Sequence, residues 1–262
     1  MNLAIDEALV RVAGEPLARD VRVDPRAGTL AWCGRTRAAA DLGWQPPVAG
    51  AVYGVLLNDK GTLAALGDTV HAPPYRAPPN APVLYVRPRN TRSAHRRPVV
   101  VPDGVDALAI GASLAIVIGR TACRVAAADA PDFVAGYTVA SDFCIPHDSL
   151  YRPAVRFRCR DGFCALGPWA IARRHVPDPD ALEIRVEVDG ALRQRATTRD
   201  LVRPVARLVA DVSAFMTLAP GDVLLTGVPA DAPHARRGQR VAVTVAGVGT
   251  LENTLVDAAE AA

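Results

Sequence analysis

The apolar positions of this chain change period along its length, and the changes mark its elements. Short runs rich in β-branched residues read as strands: YGVLL (53–57), VLYVR (83–87) and SLAIVIG (113–119). Two pairs of alternating runs read as hairpins. LEIRVEV and ALRQRAT flank Asp189-Gly190, and RVAVTVAG is followed by VGTLENTLV near the C-terminal end. VRVDPRAGTLAWCG, with Gly28 near its turn, predicts a third hairpin. Helical spacing is clear in one segment. Leu201, Val205, Leu208, Val212 and Phe215 recur at intervals of three and four, which predicts a helix over 204–216 with Pro204 in its first turn. Pro220-Gly221-Asp222 then leads into a strand, VLLTG, and a shorter helix is expected over AAADAPDFVA (126–135).

Proline divides the chain. Gln45-Pro46-Pro47 closes a first segment of fifty residues, expected to be a small N-terminal lobe, with one larger domain over 51–262. HAPPYRAPPNAP (71–82) is an extended loop poor in backbone donors. The mixture predicts an α+β, strand-rich fold.

Half of the 262 residues are hydrophobic and 22 % are charged, so the chain can bury a sizeable core. The net charge is only +3, but Lys60 is the single lysine among 30 basic residues. A GC-rich genome explains that bias. It also supplies guanidinium forks, which match carboxylates in bidentate geometry. Aromatic residues make up 5 %, too few for the basic, aromatic-studded face that nucleic acid requires. No stretch is long and apolar enough to span a bilayer and the start has no leader pattern, so a cytoplasmic protein is expected. The five cysteines form no CxxC and read as reduced thiols. GxSxG, P-loop, HExxH and dinucleotide-fingerprint motifs are absent. His147-Asp148, after a proline, reads as a loop pair rather than an acid–base couple.

From Val83 onward the chain resembles the fumarylacetoacetate hydrolase family. The resemblance rests on VLYVRPRNT (83–91), LAIVIGR (114–120), FVAGYTVASDF (133–143), CRDGFCALGPW (159–169), RQRATTRDL (193–201) and MTLAPGDVLLTGVP (216–229), in the family's order. YRAPP (75–79) and SLYRPAVRFRCRDGFC (149–164) resemble the branch that isomerises and decarboxylates intermediates of 4-hydroxyphenylacetate (homoprotocatechuate) breakdown, and within it the first of two related halves or subunits.

The resemblance implies a β-roll around a pocket that holds a divalent cation, commonly magnesium, through a Glu-x-Glu pair and a later Asp. The spacing is physically sound, because residues i and i+2 of a strand face one side and hard cations take oxygen ligands. In this chain the pair falls on Gly111 and Ser113, and only Asp142 remains. The family's lysines fall on Arg87 and Arg158, its lid histidine near Thr62, and a threonine of its Thr-Gly-Thr-Pro segment on Val228. Arg87, Asn90, Tyr151, Arg152, Arg158, Asp161, Gln194 and Thr198 match pocket positions and are the substrate-pocket candidates; no catalytic residue is singled out.

The resemblance therefore implies a subunit of the 2-hydroxyhepta-2,4-diene-1,7-dioate isomerase / 5-carboxymethyl-2-oxo-hex-3-ene-1,7-dioate decarboxylase with a degenerate metal site. No cofactor is expected in this chain. The divalent ion is expected in a related, metal-competent partner, in a homo- or hetero-oligomer that takes a small dicarboxylate or tricarboxylate. Two alternatives stay open: an isomerase/decarboxylase active alone, with arginines as an electrophilic cradle, and a metal-free binding or structural member of the family.

Overall fold

The computed structural model describes residues 6–15, 18–74, 76–147 and 154–260. Four short strands come first: β1 (Asp6–Val10), β2 (Arg19–Asp24), β3 (Thr29–Trp32) and β4 (Arg35–Ala38). β5 (Val52–Leu56), helix α1 (Lys60–Ala65) and β6 (Val83–Arg87) follow, then β7 (Arg92–Ala94) and β8 (Val99–Val100). Two long strands, β9 (Leu108–Ile118) and β10 (Val134–Cys144), precede α2 (Val155–Arg158) and β11 (Cys164–Ala172). The chain ends with β12 (Glu183–Val188), β13 (Ala191–Thr197), α3 (Val205–Ser213), β14 (Val223–Leu225), β15 (His234–Ala235), β16 (Arg240–Val245) and β17 (Gly249–Val256).

The larger sheet runs β4-β3-β2-β1-β11-β10-β9-β14-β5-β6. A 3-10 turn, Arg89–Thr91, carries the chain from β6 directly into β7, which pairs in parallel with β11. The strands from β11 to β6 therefore close on themselves as a roll, and β6 comes back over β10. The second sheet, β13-β12-β16-β17-β8, packs on β9, β10 and β11. This explains the uninterrupted apolar run in β9. All but one of its eleven residues are buried, because both faces are covered and no polar face is needed.

The three expected hairpins form with their turns at 25–28, 189–190 and 246–248. The strands β1–β4 of the first fifty residues continue the larger sheet. β1 pairs with β11 (Ala8↔Ile171, Leu9↔Ala170), and Trp44 is buried edge-on to Trp169.

Two helix expectations change. α3 is shorter than 204–216: Leu201 bridges Asp59 before the helix, and Phe215 is 61 % exposed beyond it. The helix stops because Ser213 bonds outward, its carbonyl taken by the Arg124 N–H and its hydroxyl by the Val125 N–H. The helix expected over 126–135 is only a 3-10 turn, Ala130–Phe133, since Pro131 opens it and Val134 already pairs with Ile118 of β9.

Candidate functional site

β10 sets Asp142 opposite Gly111 of β9 and opposite Cys164 of β11. Ser113 sits two residues on, opposite Ala140, so Gly111, Ser113 and Asp142 share one face, as the period of a strand requires. Asp142 is 1 % exposed. A buried carboxylate needs partners, and β6 supplies them. Tyr85 and Arg87, again two apart, both reach it from across the roll. The Tyr85 hydroxyl donates to Oδ2 and the Arg87 guanidinium bonds Oδ1. Arg158, at the end of α2, places Nη1 3.3 Å from Oδ2.

Arg87 is held at both terminal nitrogens, while its buried Nε has no hydrogen-bond partner among the described residues. Its Nη2 also donates to the Phe143 carbonyl at 2.7 Å, and its Nη1 donates to the Arg158 carbonyl. Burial pulls its pKa down, but Asp142 more than offsets this and the net shift is upward. Arg158 moves the same way for the same two reasons. Burial, then the negative charge of Asp142, lifts the Tyr85 phenol well above its ordinary value, so it stays a neutral donor. The Tyr85 ring also lies beside both guanidinium groups, 4.8 Å from Arg158 and 5.8 Å from Arg87. One carboxylate and two guanidiniums leave a net charge of +1.

Glycine makes this packing possible. A Cβ on Gly54, opposite Tyr85 across β5 and β6, would sit 2.0 Å from the tyrosine ring. Gly54→Ala is expected to destabilise the chain by about 1–3 kcal/mol in urea unfolding. In a Tyr85→Leu background most of that cost disappears, because the ring is what the methyl meets. An equal cost in both backgrounds would contradict this. At Gly111 a Cβ would lie 2.7 Å from the Asp142 carbonyl oxygen and 2.8 Å from Val228 Cγ2, so a longer side chain there forces the strand or Val228 to move.

Arg158 also lines a cleft of about 240 Å³ whose wall includes Leu57, Thr62, Val228, Ala230 and Asp231. Thr62, where the resemblance puts the lid histidine, is tied down. Its N–H donates to Asp59 at 2.8 Å and its hydroxyl donates to the Val228 carbonyl at 3.2 Å. Gln194 donates to the carbonyl of Ala230 in this wall at 2.6 Å, and its own buried Oε1 has no hydrogen-bond partner among the described residues. Ser113 is fully buried and bonds the Leu114 carbonyl at 3.0 Å.

Of the substrate-pocket candidates, Arg87 and Arg158 meet at Asp142, and Gln194 supports the cleft. Asn90 donates to Asp161 at 2.7 Å and to the Cys159 carbonyl, clamping the turn at Gly162 outside the cleft. Thr198 accepts from the Leu182 N–H at 2.8 Å and fixes the end of β13. Tyr151, Arg152 and Asp148 lie outside the described residues. Tyr85 and Gly54 are the parts that sequence reasoning missed. Their signal was a tyrosine two residues before Arg87, but nothing local linked it to a glycine 31 positions earlier. All five cysteines are free thiols, and burial pushes Cys164 up to about 12. Among the described residues no three His, Cys, Asp or Glu side chains converge as a metal group, and no helix is long and apolar enough to cross a membrane.

Residues 51–256 match the family model described as fumarylacetoacetate (FAA) hydrolase C-terminal. The chain belongs to the fumarylacetoacetate hydrolase family. Among its relatives in that family, the 4-hydroxyphenylacetate degradation bifunctional isomerase/decarboxylase of Salmonella dublin is 39 % identical over 207 residues, 79 % of this chain and 47 % of that protein. The chain thus spans about half the length of the curated relatives it matches first. The 5-carboxymethyl-2-hydroxymuconate delta-isomerase of Mycobacterium smegmatis superposes with a TM-score of 0.78 at 32 % identity, covering 95 % of this chain and 98 % of that one. The 2-hydroxyhepta-2,4-diene-1,7-dioate isomerase of Mycobacterium marinum superposes at 0.75 with 29 % identity, covering 96 % and 99 %. A protein of the same fold, the fumarylpyruvate hydrolase of Pseudomonas aeruginosa, was solved with Mn2+ and pyruvate (22 % identity, TM-score 0.71, 96 % and 97 % covered).

Proposed function

We propose that this chain is a subunit of a 2-hydroxyhepta-2,4-diene-1,7-dioate isomerase / 5-carboxymethyl-2-oxo-hex-3-ene-1,7-dioate decarboxylase in 4-hydroxyphenylacetate catabolism. Its own metal site is degenerate, and it supports a metal-competent relative within an oligomer. The likeness to isomerases and to a bifunctional isomerase/decarboxylase supports the substrate class, a small dicarboxylate or tricarboxylate. One observation carries the assignment of role: both oxygens of Asp142 are already held by Arg87, Arg158 and Tyr85.

The residues present do not fit a divalent ion. Such an ion needs several oxygen ligands, and positive charge beside it is repulsive. Here it would meet one carboxylate and two guanidiniums that cannot lose their charge by deprotonation. An anion suits this cluster better than a cation, because Arg158 lines the cleft and Asp142, Arg87 and Arg158 together carry a net positive charge.

The expected result is no saturable binding of Mg2+ or Mn2+ when the metal-free chain is titrated by calorimetry. Decarboxylation by the chain alone is expected to be negligible, with turnover recovered on mixing with a relative that has an intact Glu-x-Glu pair. Stoichiometric metal with Asp142 as a ligand would sink the degenerate-site reading. Turnover by the chain alone equal to that of the mixture would sink the partner role and favour an arginine cradle acting by itself. Gly111→Glu with Ser113→Glu and Arg158→Lys is expected to bind metal only weakly, since Arg87 still occupies Asp142.

A further inference from the structure

We propose that a second cleft, between the N-terminal strands and the β6–β7 turn, binds a small ligand bearing two or more negative charges on oxyanion groups. The cleft has a volume of about 410 Å³ and is lined by Arg11, Pro46, Val48, Ala49, Arg89 and Arg92. Three of its six lining residues are arginines and none is acidic. It lies on the part of the roll where β7 joins β11, and Arg158 and Thr62 of the other cleft do not line it.

Arg92 is the fixed member. Its Nη1 donates to the carbonyls of Ala49 and Gly50 at 2.5 and 2.8 Å, which holds the guanidinium against the Pro-rich joint. Those carbonyls are neutral, so its charge stays uncompensated. Among the described residues Arg11, Arg89 and Arg92 form no ion pair, although thirteen other contacts between basic and acidic side chains are present. Burial, and then the like charges of Arg89 and Arg11, lower the pKa of Arg92. The three groups therefore feel one another.

A guanidinium cannot relieve such repulsion by giving up its proton. The remaining relief is an anion, and planar forks of five donors suit phosphate and carboxylate oxygens alike. A charge near +3 in one cleft favours a ligand with at least two negative charges over a single carboxylate. A phosphate group and a dicarboxylate share this chemistry, and the experiment separates them. This site is independent of the role proposed for Asp142 and Arg158.

The full chain is titrated by calorimetry with inorganic pyrophosphate and, separately, with heptanedioate, each against sodium chloride at matched ionic strength. Saturable binding of at least one probe is expected. Affinity should fall by about tenfold or more in the Arg11→Gln, Arg89→Gln double variant. Binding of pyrophosphate alone assigns a phosphate ligand, and binding of heptanedioate alone assigns a dicarboxylate. No saturable binding of either probe, or undiminished affinity in the double variant, overturns the proposal. The double variant removes like charges and no ion pair, so it should fold. Should it not, phenylglyoxal modification of the unaltered chain is mapped by mass spectrometry with and without the bound probe. Protection of Arg11 and Arg89 supports the site, and equal modification overturns it.

Discussion

Asp142→Ala will destabilise the chain by about 3–5 kcal/mol in urea unfolding, more than any other single change at the site. The substitution leaves Arg87, whose side chain has no exposed surface, without a counter-ion in the centre of the roll. It also strips Tyr85 of its acceptor and Arg158 of its ion pair. Breaking a buried pair costs far more than the pair contributes, because one desolvated charge remains. The same reasoning predicts recovery. Asp142→Ala combined with Arg87→Met removes both charges and fills the volume with an apolar chain, and should regain much of the loss. A chelator should change neither the unaltered chain nor the variants. If Asp142→Ala costs under about 1 kcal/mol, the range of an exposed pair, the cluster is not the buried counter-ion system described above.

Acid will weaken the fold through His95. This histidine is buried where β7 meets the second sheet, edge-on to Trp44, and its Nδ1 accepts from the Glu252 N–H at 3.0 Å. Burial, and then the charge of Arg96, lower its pKa from 6.5 to about 4. The folded state therefore holds it neutral while the unfolded chain binds a proton at pH values below about 6.5. The contribution is complete above pH 6.5 and is lost as the pH falls, and by pH 4 the loss amounts to about 3 kcal/mol. His95→Asn retains an acceptor oxygen and has no titration. Comparing the two proteins cancels the carboxylates they share. The stability advantage of the unaltered chain should fall by about 3 kcal/mol between pH 7 and pH 4. Parallel pH profiles would show that His95 does not titrate across this window.

Local pattern alone determined much of the architecture. The hairpins at 25–28, 189–190 and 246–248 follow from alternation broken by turn residues, and each strand pairs with its neighbour in sequence. That Gly111 and Ser113 carry no carboxylate while Asp142 does is read straight from the residues. Local pattern failed where long-range pairing decided the element. Val134–Cys144 is a strand because β9 and β11 flank it, and α3 ends at Ser213 because a loop from another part of the chain takes its last acceptors. The partners of Asp142 were beyond reach for the same reason. Arg87 and Tyr85 lie 55 and 57 residues away and approach only because the 89–91 turn closes the roll, and Tyr85 enters only because Gly54 leaves it room. Sequence specifies which charges exist, since those are properties of single residues. Which charges meet, and in how little water, depends on the closure of the sheet, and that is a property of the whole fold.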